Sequence, residues 1–166
     1  AAMVIHHGAD RVCLDSALHH ESQPIKEMAI LLGSQALIGA IPVSMINGKI
    51  QWRDYRCGDS QPFSAKSIPV LEEGVISEAL LIDWFHEGIK EGFDQNLVDR
   101  FPFPDVPLIA FGGISGPNQA ASLLALTRVA AVAVGNFLSY KELAVQQFKE
   151  CAAGLPVRPA SYMSSY

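Results

Sequence analysis

Short apolar segments alternate with helix-like segments along the chain, and this alternation constrains the fold more than any other feature. Five segments have the composition of buried strands, namely 11–14, 35–41, 78–85, 106–111 and 130–134. The helices that follow them are predicted at 22–33, 64–74, 94–101, 117–127 and 140–154. Such alternation predicts an α/β fold with a parallel sheet and right-handed crossovers. The pattern alone permits an open doubly wound sheet or part of a (β/α)8 barrel, since a complete barrel usually needs about 250 residues.

Two segments depart from this alternation. Asn47-Gly48 lies between β-forming residues in 43–55, which predicts an inserted β-hairpin that projects from the body. The first residues, "AAMVIHHGAD", resemble the end of a helix that Gly8 terminates, so we expect the natural chain to continue upstream. We expect one domain over 1–158, followed by an irregular tail at 159–166.

Composition narrows the class of protein. The chain has 166 residues, of which 49% are hydrophobic and 17% charged, as is typical of one soluble domain. The net charge of -5 argues against nucleic acid as a partner, and no apolar run reaches the roughly 18 to 20 residues of a membrane helix. The three cysteines are far apart and form no metal or redox motif, which favours reduced thiols in a cytoplasm. Adjacent histidines, at 6–7 and 19–20, chelate poorly, so we expect neither a metal nor a cofactor.

Glycine turns follow the last two predicted strands. Gly112 and Gly113 come directly after one strand and before a helix, and Gly135 with Asn136 repeats the arrangement. Glycine lets the backbone approach an anion closely, and N–H groups at a helix start point towards it. In (β/α)8 barrels the loops after the last two strands often bind phosphate. These residues therefore predict a phosphate site, although tight strand-to-helix turns alone would also explain them. Ser115 could cap the next helix or contact the phosphate.

A series of blocks occurs in a recognisable order: "GADRVCLDSA", "GSQALIGAI", the Asn-Gly hairpin, "SEALLIDWFHEGIKEGFD", "VPLIAFGGISG" and "VAAVAVGNFLSYKE". In this order they resemble the cyclase subunit of imidazole glycerol phosphate synthase, from histidine biosynthesis. The ending "GNFLSYKELAVQQFKECAAGLPVRPASY" is similar to a paralogous branch associated with sugar amidation in surface polysaccharide synthesis. The resemblance implies a ribulose-phosphate-binding-type (β/α)8 barrel, of which this chain would hold strands four to eight with their helices.

The resemblance also implies a function. Such a subunit uses ammonia from a glutaminase partner on a phosphorylated or nucleotide-linked sugar derivative. The family's first catalytic aspartate precedes this chain, and the second corresponds to Pro42. In the loop after the sixth strand, the family's two aspartates correspond to Phe85 and Glu87. A non-catalytic phosphate-binding protein that docks and activates a glutaminase is therefore an alternative, as is an isomerase or another phosphosugar barrel enzyme.

The remaining acid–base candidates lie at the end of the third predicted strand. Asp83, His86 and Glu87 are the predicted catalytic residues. Strand alternation places Asp83 and Phe85 on one face, so we expect Asp83 to point into the barrel one layer below Phe85. His86 follows a strand on the catalytic side and titrates near neutrality, although an exposed loop histidine would look the same.

Further positions take roles from the resemblance. A second phosphate would bind at Ser16, where the neighbouring Asp15 would repel it. At the opposite end of the barrel, Asp10, Arg11 and Glu78 match an ammonia gate and docking surface for the glutaminase, although ordinary strand-end charges are the alternative. Trp52 could cover a substrate or pack the hairpin onto the body. An incomplete barrel also leaves open sheet edges, so we expect self-association.

Overall fold

Seven strands form one sheet in the computed structural model, which describes residues 2–20 and 22–157. The strands are β1 (Val12–Leu14), β2 (Leu37–Ile46), β3 (Lys49–Arg53), β4 (Ser60–Pro62), β5 (Glu78–Asp83), β6 (Leu108–Phe111) and β7 (Val129–Val132). The helices are α1 (Ala2–His6), α2 (Gln23–Leu32), α3 (Pro69–Glu72), α4 (Asn96–Arg100), α5 (Pro117–Leu124) and α6 (Ala144–Cys151).

Five of these strands run parallel in the order β1-β2-β5-β6-β7, which confirms the parallel sheet that the alternation predicts. Along β5 the side chains alternate between the two faces. Ala79 and Leu81 are fully buried, whereas Leu80 and Ile82 are half-buried. The buried face belongs to one core cluster with helix residues such as Leu97. One face of the parallel sheet is thus covered by helices, and the other is partly open.

The inserted hairpin is confirmed, and it is larger than predicted. Asn47 and Gly48 both have positive φ, at 51° and 73°, as a two-residue turn between twisted strands requires. β3 pairs antiparallel with β2, and β4, which the sequence does not predict, pairs antiparallel with β3. Trp52 is 2% exposed, stacks on His19 and meets Phe63 edge to face. It packs the hairpin onto the body, so the reading in which Trp52 covers a substrate is wrong.

One edge of β2 is divided between two partners. Residues 37–39 pair with β1 and residues 43–46 pair with β3, while the other edge pairs with β5. The carbonyls of Leu37 and Val43 accept hydrogen bonds from the β5 side, so odd-numbered residues of this strand face β5. Pro42 therefore faces the opposite edge, in the gap between β1 and β3. A proline lacks an N–H donor, and at this position no ladder hydrogen bond is lost.

The helical segments are shorter than the sequence predicts. Instead of one helix at 64–74, a 3-10 turn over Ala65–Ser67 precedes the single turn of α3. Pro69 begins α3, because a proline fits the first helical position but cannot continue a preceding helix. Gly8, with φ of 98°, follows the end of α1 as predicted. The predicted tail at 159–166 lies outside the described residues.

Candidate functional site

Asp83 lies at the centre of a buried hydrogen-bond network at the carboxyl end of β5. Its carboxylate is fully buried. The Ser44 hydroxyl donates to Oδ1 over 2.5 Å. His86 Nδ1 lies 2.7 Å from Oδ2, and the Asp94 N–H donates to the same oxygen over 2.9 Å. A buried carboxylate is tolerated when it is hydrogen-bonded in this way.

The side chain of Asp83 does not point into the open side of the sheet. It shares the face of β5 on which Ala79 and Leu81 join the helix-covered core. The strand ends at Asp83, so the alternation that placed it beside Phe85 does not extend that far. The expectation that Asp83 points into a barrel mouth is therefore wrong. Its geometry makes it a positioning residue for the groups that surround it.

The network holds both ends of the loop over residues 84–94. At the first end, the Phe85 N–H donates to the Ser44 hydroxyl over 3.0 Å. At the other end, the Asp94 N–H binds Asp83, and the Asp94 carboxylate accepts the Asn96 N–H over 2.9 Å. Ser44 is fully buried and was not identified from the sequence. The available signal was a small polar residue in an apolar strand, next to the strand that carries the aspartate.

His86 has a geometry suited to proton transfer. Its side chain is 25% exposed, and the ring nitrogen Nδ1 faces the buried Asp83 carboxylate. A carboxylate that accepts from Nδ1–H selects the neutral tautomer in which Nε2 is the acceptor. Among the described residues no hydrogen bond to Nε2 is formed. Nε2 is therefore the ring nitrogen left to act as an acceptor.

The two glycine turns meet in one cavity of about 620 Å³. The lining that bears on the predictions comes from the turns after β6 and β7 and from the loop after β5, namely Gly112, Gly113, Ser115, Gly135, Asn136, Glu87 and Lys90. The structure thus brings together all the residues predicted for the first phosphate. Their binding of phosphate stays a prediction.

Only one of the two turns requires glycine because of close packing. A Cβ on Gly112 would lie 2.6 Å from the carbonyl oxygen of Asp83, and one on Gly113 would lie 2.8 Å from that of His86. Both positions have positive φ and allow the loop after β5 to approach closely. Gly135 has an ordinary φ of -93°, and a Cβ there would meet only the ring of Phe111, at 3.4 Å. Close packing therefore explains the first pair but not Gly135.

Ser115 is already engaged by the neighbouring loop. Its hydroxyl accepts the Glu91 N–H over 3.0 Å, and its own N–H donates to Gln119 Oε1 over 3.2 Å. No side chain caps α5 at Gly116, so the expectation that Ser115 caps this helix is wrong. Glu91 has a positive φ of 53°, and a side chain on Gly116 would collide with its carboxylate. A negative charge therefore lies against the predicted phosphate turn.

An ion pair lies at the amino ends of the parallel strands, opposite the cavity. Arg11 Nη1 lies 2.8 Å from Glu78 Oε2 at the start of β5. The same guanidinium donates to Ser77 Oγ and to the carbonyl of Gln35, each over 3.0 Å. Arg11 and Glu78, which the resemblance assigns to one gate, are thus in direct contact. A role in ammonia passage stays a prediction, as does docking at Asp10, which is exposed.

The rim after β1 does not reach this cavity. Ser16 begins a 3-10 turn that extends to His19, and burial raises the pKa of the adjacent Asp15. Nearby, the Arg56 guanidinium donates to both oxygens of Asp54, and this hydrogen bonding lowers the pKa of the Asp54 carboxyl. Arg56 is thus already paired with a carboxylate. The second phosphate predicted at Ser16 gains no free cation from Arg56.

Within 2–20 and 22–157, no group of three or more His, Cys, Asp or Glu side chains is arranged to hold a metal ion. In the same part of the chain, no helix has the length and apolar character needed to cross a membrane.

A parallel sheet with helices on one face and a cavity at the carboxyl ends of its strands defines a protein of the mixed α/β class. The model of the histidine biosynthesis protein family matches residues 1–144. The chain therefore belongs to the histidine biosynthesis protein family.

Three relatives carry the name imidazole glycerol phosphate synthase subunit HisF. The protein from Pyrococcus furiosus is 32% identical over 95% of this chain and 64% of its own length. That from Staphylococcus saprophyticus is 30% identical over 95% of this chain and 65% of its own length. That from Anoxybacillus flavithermus is 28% identical over 89% and 60%, respectively. The chain thus spans less than two thirds of the length of these relatives.

Proposed function

We propose that the whole protein is a synthase subunit of the imidazole glycerol phosphate synthase type. It would use ammonia from a glutaminase partner on a phosphorylated or nucleotide-linked sugar derivative, in histidine biosynthesis or in surface-sugar amidation. The observation that carries this proposal is the meeting of both glycine turns in one cavity, in a chain related to proteins named as that synthase subunit. In this proposal β1, β2, β5, β6 and β7 are strands four to eight of a (β/α)8 barrel in a cytoplasmic protein.

Phosphate binding in this proposal depends mainly on backbone groups. The turns at 112–113 and 135–136 line the cavity, where their N–H groups would be the phosphate donors, and Lys90 adds a positive charge at its wall. Glu91 opposes it, because its carboxylate lies against Gly116 at the start of α5. The site would therefore bind phosphate with an affinity that reflects both charges.

Proton transfer in this proposal depends on His86. Its Nε2 would accept or return a proton while Asp83 holds Nδ1 and thereby fixes the ring. Glu87 is exposed and lines the phosphate cavity, so it is a second candidate for contact with substrate. Neither Pro42 nor Phe85, at the positions that the resemblance assigns to aspartates, can exchange a proton.

Ammonia would enter at the edge where Arg11 and Glu78 form their ion pair. The pair is partly exposed, with side-chain accessibilities of 35% and 23%. Exposed pairs of this kind contribute only about 0.2 to 1 kcal/mol to stability, so opening the pair costs little. A pair that opens easily is compatible with a gate. Asp10 lies beside it and would contact the glutaminase.

The alternative is a non-catalytic subunit that binds phosphate and activates a glutaminase. The observation that favours it is that neither Pro42 nor Phe85 carries a group that can exchange a proton. Pro42 is buried, and Phe85, with an apolar ring, is 54% exposed at the carboxyl end of the sheet. Phosphate recognition at the glycine turns needs neither residue. Both candidate functions therefore share the same cavity and differ only in proton transfer.

Binding of phosphate is tested by adding bulk at Gly135. In the full-length protein, Gly135→Val should weaken binding of ribose 5-phosphate at least tenfold by calorimetry, because the side chain would occupy the turn. Gly135 is preferred to Gly113, where a side chain would collide with the loop after β5 and disturb the fold. Ala130→Val adds similar bulk to an exposed position of β7 and is the control. Unchanged affinity in Gly135→Val would remove the support for both functions.

Catalysis is tested with ammonium salts in place of the glutaminase. Turnover of candidate phosphosugars or nucleotide-linked sugars by the full-length protein should be lost in His86→Gln and retained in His6→Gln. His6 is an exposed histidine of α1, so the control removes the same side chain elsewhere. Ammonium-dependent turnover that His86→Gln abolishes excludes the non-catalytic alternative. Turnover that persists in His86→Gln contradicts the role assigned to Nε2.

Self-association is a further part of this proposal. Within the described residues β7 pairs only on its β6 side, and β1 pairs only on its β2 side. Unpaired strand edges template association with other chains. A chain limited to residues 1–166 should therefore form oligomers in light scattering, and a monomer with a cooperative thermal transition would contradict this expectation.

A further inference from the structure

A second concavity of about 680 Å³ lies between the hairpin and the start of the loop after β5. Ligand cavities commonly span roughly 300 to 1,000 Å³, so this groove is large enough for a small molecule. We call it the hairpin groove, and its lining includes Asn47, Lys49, Gln51, Ser60, Trp84 and Phe85. Neither the catalytic candidates nor the glycine turns belong to it.

The hairpin supplies a polar wall because its strands have one buried face. Ile50 and Trp52 of β3 are 8% and 2% exposed and pack into the core. Side chains alternate along a strand, so Lys49, Gln51 and Arg53 lie on the opposite face. β3 therefore presents two cations and an amide on the side of the hairpin groove.

The facing wall is aromatic. Trp84 and Phe85 meet edge to face with ring centroids 5.9 Å apart, and the Arg53 guanidinium lies 4.6 Å from the centroid of Trp84. Phe85 is 54% exposed, although it borders a cavity and could pack on the hairpin. The Nε1–H donor of Trp84 is buried and has no hydrogen-bond partner in the part of the chain that the structure describes. A buried donor without a partner is unfavourable unless a ligand accepts from it.

Charge distinguishes this groove from the surrounding surface. Within the described ranges, neither Lys49 nor Arg53 forms an ion pair with a carboxylate. The chain as a whole carries a net charge of -5, whereas the lining of this groove contains Lys49 and no carboxylate. The field of Lys49 would attract an anion to the aromatic wall.

We propose that the hairpin groove binds the nucleoside diphosphate part of a nucleotide-linked substrate. A planar base stacks on Phe85, because aromatic faces bind bases without requiring a specific hydrogen-bond pattern. The diphosphate meets Lys49, with the Arg53 guanidinium over Trp84 as a more distant cation, and the amides of Asn47 and Gln51 are within the same lining to bind polar groups of the ligand. This inference rests on the proposed function and chooses the nucleotide-linked substrate over a simple phosphosugar.

The arrangement of the two sites supports one substrate that spans them. Phe85 lines the hairpin groove, Glu87 lines the cavity of the glycine turns, and His86 lies between them in the chain. A sugar attached to a nucleotide in the groove would therefore be directed towards the loop over 85–87, which joins the two sites in the chain.

The test is titration of the full-length protein with UDP, ADP and pyrophosphate by calorimetry. UDP and ADP should bind more tightly than pyrophosphate, and Phe85→Ala should weaken UDP binding about tenfold. Phe85→Tyr keeps the ring and should bind as the unaltered protein does. Lys49→Gln should weaken UDP and pyrophosphate alike, whereas Lys66→Gln, the same change at an exposed position outside the groove, should not.

Three results overturn the inference: no binding of UDP or ADP at millimolar concentration, equal affinity for UDP and pyrophosphate, or unchanged UDP affinity in Phe85→Ala. Phe85 is exposed, so its substitution should leave the thermal transition unchanged. The proposed function fails separately, when ribose 5-phosphate does not bind at the glycine turns. UDP binding that Gly135→Val leaves intact, together with ribose 5-phosphate binding that it removes, supports both.

Discussion

The two ends of β5 each carry a carboxylate paired with a nitrogen base, and the two pairs differ in burial. Glu78 at the first residue meets Arg11 with both side chains partly exposed. Asp83 at the last residue meets His86, and its carboxylate is fully buried with Ser44 and the Asp94 N–H as further partners. One strand thus begins with a partly exposed ion pair and ends with a hydrogen-bonded pair whose carboxylate water cannot reach.

This difference predicts different roles for similar chemistry. A partly exposed pair gains little energy and opens easily, so it suits a position where a small molecule passes or a partner docks. A buried carboxylate with several donors is costly to disturb, because every donor left behind is unsatisfied. The Arg11–Glu78 pair can open and close, whereas the hydrogen bonds of Asp83 fix the position of the loop over 84–94.

Removal of the buried carboxylate should have the largest effect. Asp83→Ala leaves the Ser44 hydroxyl and the Asp94 N–H without an acceptor, which should lower the free energy of unfolding by about 3 kcal/mol. Urea denaturation measures this change. Asp83→Asn keeps an acceptor oxygen in the same volume and should cost clearly less. A loss below about 1 kcal/mol in Asp83→Ala would show that the buried and exposed ends of β5 do not differ as described.

Ser44→Ala should have the next largest effect. The Ser44 hydroxyl donates to Asp83 and accepts the Phe85 N–H, so its removal takes two hydrogen bonds from the network. The expected loss in the free energy of unfolding is about 1 to 2 kcal/mol, with faster amide exchange at Phe85. Ser122→Ala, at an exposed position of α5, is the control and should change neither quantity.

Glu78→Gln should change stability little, by about 0.5 kcal/mol, because the pair with Arg11 is partly exposed. The same urea denaturation measures it beside the two variants above. In the full-length protein with the proposed glutaminase partner, this variant should change glutamine-dependent turnover more than ammonium-dependent turnover. Equal effects on the two kinds of turnover would contradict a gate and would indicate an ordinary surface ion pair.

Glu91→Gln should have the smallest effect, and it should be a gain. The carboxylate lies against Gly116 at the predicted phosphate turn, so its neutralisation should raise the affinity for inorganic phosphate about threefold. Glu72→Gln removes the same charge from an exposed position of α3 and controls for net charge. Calorimetry at low and high salt should show the gain shrinking as salt screens the charge. A decrease in affinity would indicate that Glu91 supports the turn instead.

Hydrophobic pattern predicts the parallel strands well, because each is a short apolar run between polar breaks. β4 is not predictable in this way, since Ser60–Pro62 is exposed and contains no β-forming residue. The helix predicted at 64–74 is not continuous, because Pro69 begins a separate helical turn. The sequence indicates Asp83 as a candidate, but strand alternation predicts the wrong direction for its side chain because the strand ends at this residue.

Contacts between side chains on different strands and loops also differ in whether the sequence predicts them. The Arg11–Glu78 pair could be inferred, because two opposite charges at neighbouring strand starts have few alternatives. The engagement of Ser115 by Glu91 could not, since it depends on a positive φ at a residue that is not glycine. Ser44 was overlooked because its partner lies 39 positions away on the adjacent strand. The pattern of residues within one strand does not predict contacts between residues so far apart in the chain.

The position of Pro42 has a consequence for how this sheet can change. Because its backbone nitrogen faces the gap between β1 and β3, the strand does not depend on proline or on any particular donor there. An aspartate could therefore replace it without the loss of a rung between strands. Residue 42 is therefore a position at which backbone hydrogen bonding places no restriction on the type of residue.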